Sequence, residues 1–241
     1  MDEDAVKAYI TGFGRRFLYK DVLDKFPETK IIPKYIKDHF PQAEIVLDLG
    51  FGTGIWFWAS FLPSLKRIDG FDIYQQALDE ADRVLSLPEV PEGYLIAHQY
   101  LNESFTIDDF KNLGSARGQL IIRDYLKPWP PAIERTEYDL VTEYGGIGEV
   151  ETNEQFKNII KKSASVLKTG GSMMFVNFLE KEVPNLEKKL GRYTPDTLKL
   201  GLPLFDEAVR EAGMKMMDFH AVDNPVGMPI MQTFFYGLAQ K

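Results

Sequence analysis

The sequence has no cysteine, which excludes disulfides, a thiolate nucleophile and a cysteine-ligated zinc site. It has only three histidines, far apart in the chain, and no clustered acidic motif, so we predict no metal site. The 28 Lys and Arg residues are outnumbered by 36 Asp and Glu residues, and the net charge is −8. Proteins that grip nucleic-acid phosphates usually present a basic face, so we expect no nucleic-acid partner.

Long apolar runs are also missing. The longest uncharged stretch, 49–65, is 17 residues long but contains Gly50, Gly52, Gly54 and Pro63. It therefore predicts a turn followed by a buried helix, not a membrane span. The N-terminus is acidic where a signal peptide would be basic, so we expect a cytoplasmic protein without membrane contact. The 241 residues show no repeat or linker, and the length suits one α/β domain, 1–241.

The most informative feature is a glycine-rich turn between two predicted elements. The short apolar run 45–49 is typical of a buried strand and leads directly into the turn 50–54. The uncharged run 55–62 predicts a helix, and 65–71 predicts a second strand that ends at Asp72. In such a βαβ unit, the acid at the tip of the second strand reaches the ribose hydroxyls of a nucleoside-like cofactor.

Three kinds of nucleotide motif compete for this turn. The NAD fingerprint requires a third glycine at position 55, where the sequence has Ile55. The phosphate-binding P-loop requires Gly-Lys-Ser/Thr, which is absent. The remaining pattern is D-x-G-x-G-x-G, from Asp48 to Gly54.

The run Val46–Gly54 resembles the cofactor motif of class I S-adenosylmethionine (SAM) methyltransferases, and Gly70–Ile73 resembles their second motif. The resemblance implies that the three glycines bed the methionine part of SAM, that Asp72 holds the ribose, and that Asp124 meets the adenine amino group. Asp48 would orient the turn, with capping of the following helix as the alternative. The full set implied for the cofactor is Asp48, Gly50, Phe51, Gly52, Gly54, Trp56, Asp72, Ile73, Asp124, Tyr125 and Glu143.

The rest of the chain predicts alternating helices and strands. N-terminal helices, one of them over 17–26, form a cover (1–42), and 87–117 is an insertion with a strand-like segment at Tyr94–Ala97. A capping box at Thr152 and Gln155 opens a helix that Gly170 and Gly171 end. Further strands are predicted at 119–123, 138–142, 172–178, 215–221 and 231–238, the last two antiparallel because only a loop joins them. We therefore predict a single Rossmann-like seven-stranded sheet, mostly parallel with the last strand antiparallel, with helices on both faces.

A closer resemblance concerns the nicotinamide, phenylethanolamine and indolethylamine N-methyltransferases. The wide spacing between Asp72 and Asp124 and the ending Phe234–Lys241 are similar to theirs. In that family an acid after strand five contacts the acceptor, and here the position is Asn177. An amide suits a neutral amide or ring nitrogen better than a cationic amine. A ribose-binding asparagine of the family is replaced by Ala77, which removes one expected contact.

The predicted function is SAM-dependent methyl transfer to a small molecule, with nitrogen as the favoured acceptor atom. Oxygen methylation, a SAM-binding protein without activity and a dinucleotide-binding protein are the alternatives, and the oligomeric state stays open. Tyr9, Glu143 and Tyr144 are the catalytic candidates. The substrate-binding candidates are Tyr9, Phe13, Tyr144, Glu149 and Asn177. Five aromatic residues could form a wall around a cationic or flat acceptor: Tyr9, Phe13, Trp56, Trp58 and Tyr144. Core packing is the alternative role for these aromatic residues.

Overall fold

The structure is a computed structural model that describes residues 15–25, 28–147, 150–180, 201–223 and 231–241. A seven-stranded sheet forms its centre, and all the strands are parallel except the last, which pairs antiparallel with both of its neighbours. This confirms the predicted fold class. In chain order the strands are β1 (Ile45–Leu49), β2 (Arg67–Asp72), β3 (Arg117–Ile122), β4 (Tyr138–Tyr144), β5 (Leu167–Glu180), β6 (Lys215–Asp223) and β7 (Met231–Gln240), and they lie side by side as β3-β2-β1-β4-β5-β7-β6.

The strand order reverses at β1, which lies between β2 and β4. Leu49, the last residue of β1, pairs with Phe71 of β2 and with Glu143 of β4. The turn after β1 therefore lies beside the carboxyl ends of both neighbouring strands. In open α/β sheets this switch point is where ligands bind.

Helices cover both faces of the sheet and enclose two apolar cores. Val46 of β1 belongs to one core and Leu47 to the other, because successive side chains of a strand point to opposite faces. A 3-10 turn (Arg15–Leu18), α1 (Val22–Lys25), α2 (Glu28–His39), α3 (Ile55–Ala59), α4 (Gln75–Leu85), α5 (Glu92–Tyr100) and α6 (Ile107–Ser115) lie on the first face. The second face carries α7 (Pro131–Glu134), α8 (Asn153–Val166) and α9 (Leu202–Glu211).

The cover and the insertion differ from the prediction in two places. The sequence predicts a helix over 17–26, and the described part of that stretch, 17–25, instead contains the end of a 3-10 turn and the single turn α1. The strand-like segment Tyr94–Ala97 is helical and lies inside α5. Its buried residues are Gly93, Tyr94, Ala97 and His98, a helical spacing that the short apolar run did not distinguish from a strand.

The predicted end of the helix before β5 is also wrong, although the capping box at its start is confirmed. α8 ends at Val166, and β5 begins at once with Leu167. Gly170 (φ +79°) and Gly171 lie inside β5, where the pairing with β4 shifts register. A Cβ on Gly171 would lie 2.9 Å from the carbonyl oxygen of Tyr138, so glycine is required by the close approach of two strands.

Candidate active site

The turn after β1 is shaped by glycines for two different reasons. Gly50 (φ +73°) and Gly52 (φ +48°) have left-handed backbones that other residues rarely adopt. Gly54 has an ordinary backbone, but a Cβ there would lie 2.6 Å from Cε2 of Phe17. The amides of Gly50 and Phe51 both donate to the carbonyl oxygen of Phe71, at 2.8 and 3.0 Å. The turn is thereby fixed to the end of β2.

Asp72, the acid predicted to hold a ribose, contacts this turn directly. The amide of Gly52 donates to its Oδ2 at 2.9 Å, and the amide of Tyr74 donates to its Oδ1 at 2.8 Å. Burial raises the pKa of Asp72, and the backbone hydrogen bonds oppose this change. Ile73, predicted to flank an adenine, is 53% exposed beside it. The amide of Ile73 is a third backbone donor to this carboxylate, which has about four acceptor sites and can therefore still accept a hydrogen bond from a hydroxyl.

Asp48 is buried beneath the turn. The hydroxyl of Thr142 on β4 donates to its Oδ1 at 3.0 Å. Burial, with a smaller contribution from the charge of Asp72, raises the pKa of Asp48 to about 7. The alternative that Asp48 caps the next helix is wrong, because the N-cap residue of α3 is Gly54 and no side chain caps this helix. Asp48 instead connects β1 to β4 below the site.

The segments after β3 and β4 converge on Gly50 from the other side. The hydroxyl of Tyr125 donates to the carbonyl oxygen of Gly146 at 2.6 Å. A Cβ on Gly50 would lie 3.5 Å from Cα of Gly146 and 4.0 Å from Cε1 of Tyr125. Asp124 is half-buried, and its Oδ1 accepts the amide of Leu126 at 2.8 Å. The structure therefore places Tyr125 beside Gly50, with Asp124 next to Tyr125 in the chain, and their contact with a cofactor stays a prediction.

Glu143 and Asn177 form a buried pair on the face covered by α8 and α9. Asn177 donates its side-chain amide to Oε2 of Glu143 at 2.5 Å, and the amide of Ile147 donates to Oε1 at 2.8 Å. Burial raises the pKa of Glu143 to about 8. Among the described residues, Oδ1 of Asn177 has no hydrogen-bond partner. Glu143 thus holds the loop after β4 in place, and its contact with a cofactor or an acceptor stays a prediction.

Aromatic side chains line the opposite face, next to the turn. Tyr144 stacks on Trp58 with ring centroids 4.9 Å apart, and Phe17 stacks on Phe57 at 4.6 Å. Phe17 also meets the edge of Trp58 at 5.1 Å. Trp58 and Tyr144 of the predicted aromatic wall are therefore neighbours beside the site. Phe17, which the sequence marked only as an apolar residue of the cover, completes this cluster.

Four other predicted residues are Trp56 and three that the structure does not describe. Trp56 is fully buried, and its indole N–H donates to the carbonyl oxygen of Ala81 on α4 at 3.0 Å. Its contact with a cofactor stays a prediction. Tyr9, Phe13 and Glu149 lie outside the described residues. Thr142, Gly146 and Lys162 contact the site residues but carry no sequence signal, because their roles come from strand pairing and loop packing.

Comparisons with known proteins agree with this geometry. No family model matches the sequence. Ribosomal protein L11 methyltransferase of Aquifex aeolicus (strain VF5) is 33% identical over 82 residues, which are 34% of this chain and 34% of that protein. The chain therefore matches about a third of the length of this curated relative.

Solved structures show the fold over most of the chain. Magnesium protoporphyrin IX methyltransferase of Synechocystis PCC 6803, with S-adenosylhomocysteine (SAH) bound, has a TM-score of 0.58 at 15% identity over 100% of both chains. The N-methyltransferase NodS of Bradyrhizobium japonicum WM9, also with SAH bound, has a TM-score of 0.57 at 12% sequence identity. The match covers 96% of this chain and 97% of NodS. An O-methyltransferase family protein of Burkholderia thailandensis has a TM-score of 0.56 at 15% sequence identity. The match covers 96% of this chain and 59% of that protein. The chain has the class I SAM-dependent methyltransferase fold.

Within the residues that the structure describes, no helix combines the length and the apolar character needed to cross a bilayer. The same residues contain no group of three His, Asp or Glu side chains suited to hold a metal ion.

Proposed function

We propose that the protein is a SAM-dependent methyltransferase that methylates a small molecule, with a nitrogen atom as the acceptor. The observation that carries the proposal is the hydrogen bond between Gly52 and Asp72 at the switch point of a methyltransferase fold. It joins the glycine turn to the acid that the ribose requires. The chain is an enzyme in this proposal, SAM is its cofactor, and a cytoplasmic location belongs to the same proposal.

In this proposal, different residues around Gly50 bind different parts of the cofactor. The turn 50–54 takes the methionine part, Asp72 the two ribose hydroxyls, and Asp124 the adenine amino group, with Ile73 against the adenine ring. Methyl transfer from a sulfonium is an in-line displacement, and SAM supplies the activated methyl group. The protein has to align the acceptor and exclude water, and alignment alone accounts for several powers of ten in rate.

Two observations support a neutral nitrogen as the acceptor. Burial raises the pKa of Glu143 to about 8 and that of Asp48 to about 7, so near pH 7 Glu143 is mostly protonated and Asp48 carries only part of its charge, and neither strongly favours a cation. Asn177, at the position where the resembling family has an acid, is also uncharged. A neutral amine or ring nitrogen has its own lone pair and needs little help from a base.

Oxygen methylation is the second candidate because of Glu143. A hydroxyl acceptor needs a general base with a pKa near the working pH, and burial raises the pKa of Glu143 to about 8. Binding to Glu143 would require the loop at Ile147 to release one carboxylate oxygen.

Two measurements test the proposal. Titration calorimetry of the whole chain with SAH and with NAD should show binding of SAH alone, and tighter binding of NAD or no binding of SAH would refute it. Incubation with labelled SAM and a panel of amines, azaheterocycles and phenols then identifies the acceptor. A labelled amine or azaheterocycle product supports nitrogen, a labelled phenol supports oxygen, and the Asp72→Ala variant should give neither.

A further inference from the structure

Lys162 on α8 makes an unusual set of contacts with the loop that follows β3. Its Nζ donates to the carbonyl oxygens of Tyr125, Leu126 and Lys127, at 3.3, 3.0 and 3.0 Å. An ammonium group has three N–H donors, and here each of them has an acceptor. The side chain is half-buried, and burial lowers the pKa of Lys162 while the charge of Asp124 opposes this.

Other bonds show that this loop has one defined conformation. The indole N–H of Trp129 donates to the carbonyl oxygen of Tyr125 at 2.8 Å, so that oxygen accepts two hydrogen bonds. The amide of Leu126 donates to Oδ1 of Asp124, which turns the carboxylate back over its own loop. Among the described residues, no donor is bonded to Oδ2 of Asp124.

The position of the loop matters because it carries two site residues. Tyr125 is bonded to Gly146 and lies next to Gly50, and Asp124 precedes it in the chain. Lys162 is the described side chain that holds the backbone of 125–127 from the α8 side. Without it, the carbonyl oxygens of Leu126 and Lys127 lose this donor and that of Tyr125 keeps only Trp129, so the loop that carries Asp124 is held less firmly.

We propose that Lys162 is a positioning residue that makes the site select adenine as the base of the cofactor, because it fixes the loop that carries Asp124. This inference rests on the proposed function. A carboxylate only accepts hydrogen bonds, so Oδ2 of Asp124 can receive the exocyclic amino group of adenine. Hypoxanthine has a carbonyl oxygen at the same place, and a carboxylate held there would repel it. Base selection therefore depends on how firmly Asp124 is held.

The test compares SAH with S-inosylhomocysteine, which has a carbonyl oxygen in place of the amino group and a hydrogen on the adjacent ring nitrogen N1, by titration calorimetry of the whole chain. The wild type should prefer SAH by about tenfold or more, the value of one hydrogen bond to a charged group. In Lys162→Met that preference should fall to about twofold, because SAH loses affinity and the inosine analogue does not. Lys161→Met, an exposed lysine on the same helix, is the matched control and should keep the wild-type ratio.

The ratio of the two dissociation constants, for S-inosylhomocysteine and for SAH, distinguishes a positioning role of Lys162 from a general loss of structure. A purely structural role for Lys162 would weaken both ligands equally and leave the ratio unchanged, and that result would overturn the proposal. If Lys162→Met does not fold, Lys162→Gln gives the same comparison, since its amide can serve at most two of the three carbonyls. A wild type that binds SAH without preferring it over the analogue refutes this inference alone. A wild type that binds neither ligand refutes the proposed function as well.

Discussion

The amide of Gly52 lies 2.9 Å from Oδ2 of Asp72, so the glycine turn after β1 is bonded to the acid at the tip of β2. The amide of Tyr74 occupies the other oxygen of the same carboxylate. Neither the turn nor the acid is therefore positioned independently. A change in the carboxylate alters the turn, and a change in the turn alters the carboxylate.

Asp72→Asn tests this dependence. An amide offers a single acceptor oxygen, so either Gly52 or Tyr74 loses its partner, and an unpaired buried N–H costs about 1–3 kcal/mol. We expect a lower melting temperature and, if SAM is the cofactor, a Kd for SAH raised by about tenfold or more. Asp79→Asn, at an exposed site on α4, should change neither quantity. Wild-type affinity in Asp72→Asn would show that the site does not depend on this carboxylate.

The buried carboxyl of Glu143 predicts how stability depends on pH. Burial raises its pKa from the ordinary 4.5 to about 8, so the folded state holds this proton more tightly than the unfolded chain. The stabilising contribution is therefore complete below pH 4.5 and is lost as the pH rises through about 8. A single proton changes the unfolding free energy by at most about 1.4 kcal/mol per pH unit.

Glu143→Gln removes the titrating carboxyl group and replaces it with a side chain of nearly the same shape. Asn177 can rotate its amide so that Oδ1, which has no described partner, accepts the new N–H. We expect the variant to gain stability relative to the wild type between pH 5 and pH 9, measured by thermal or denaturant unfolding. Glu134→Gln, at an exposed site on α7, serves as the control. A difference from wild type that does not change with pH would contradict the assignment.

Phe17 and Gly54 give a prediction about the N-terminal cover. A methyl group at position 54 would lie 2.6 Å from the ring of Phe17, which is buried and stacked on Phe57. Overpacking of this kind typically costs about 1–3 kcal/mol, so Gly54→Ala should lower the melting temperature. Phe17→Leu should recover part of that loss in the double variant, because the clashing ring is gone. Strict additivity of the two changes would show that the ring does not cause the clash.

The sequence was enough to predict the sheet and the centre of the site. Alternating apolar runs, the glycine turn and the acid at Asp72 are local patterns, and the residues at and after the turn decided between the three nucleotide motifs that compete for it. The roles of Glu143 and Lys162 could not be found in this way, because their partners lie 34 to 37 positions away in the chain. The helix at Tyr94 was missed because its apolar run is short and its packing against the cover decides its form.

Tyr125 tests whether the loops after β3 and β4 act together at Gly50. Tyr125→Phe keeps the ring beside Gly50 and removes only the hydroxyl, which leaves the carbonyl oxygen of Gly146 without its 2.6 Å hydrogen bond. The loss of this hydrogen bond should lower the free energy of unfolding by about 1 kcal/mol, which would be measured as a modest fall in melting temperature. If the two loops enclose the cofactor, the Kd for SAH should rise by about fivefold while the preference over S-inosylhomocysteine stays unchanged, because Asp124 remains held by Lys162. Tyr100→Phe, an exposed tyrosine on α5, is the matched control. Loss of base preference in Tyr125→Phe would mean that the hydroxyl of Tyr125, rather than Lys162, positions Asp124.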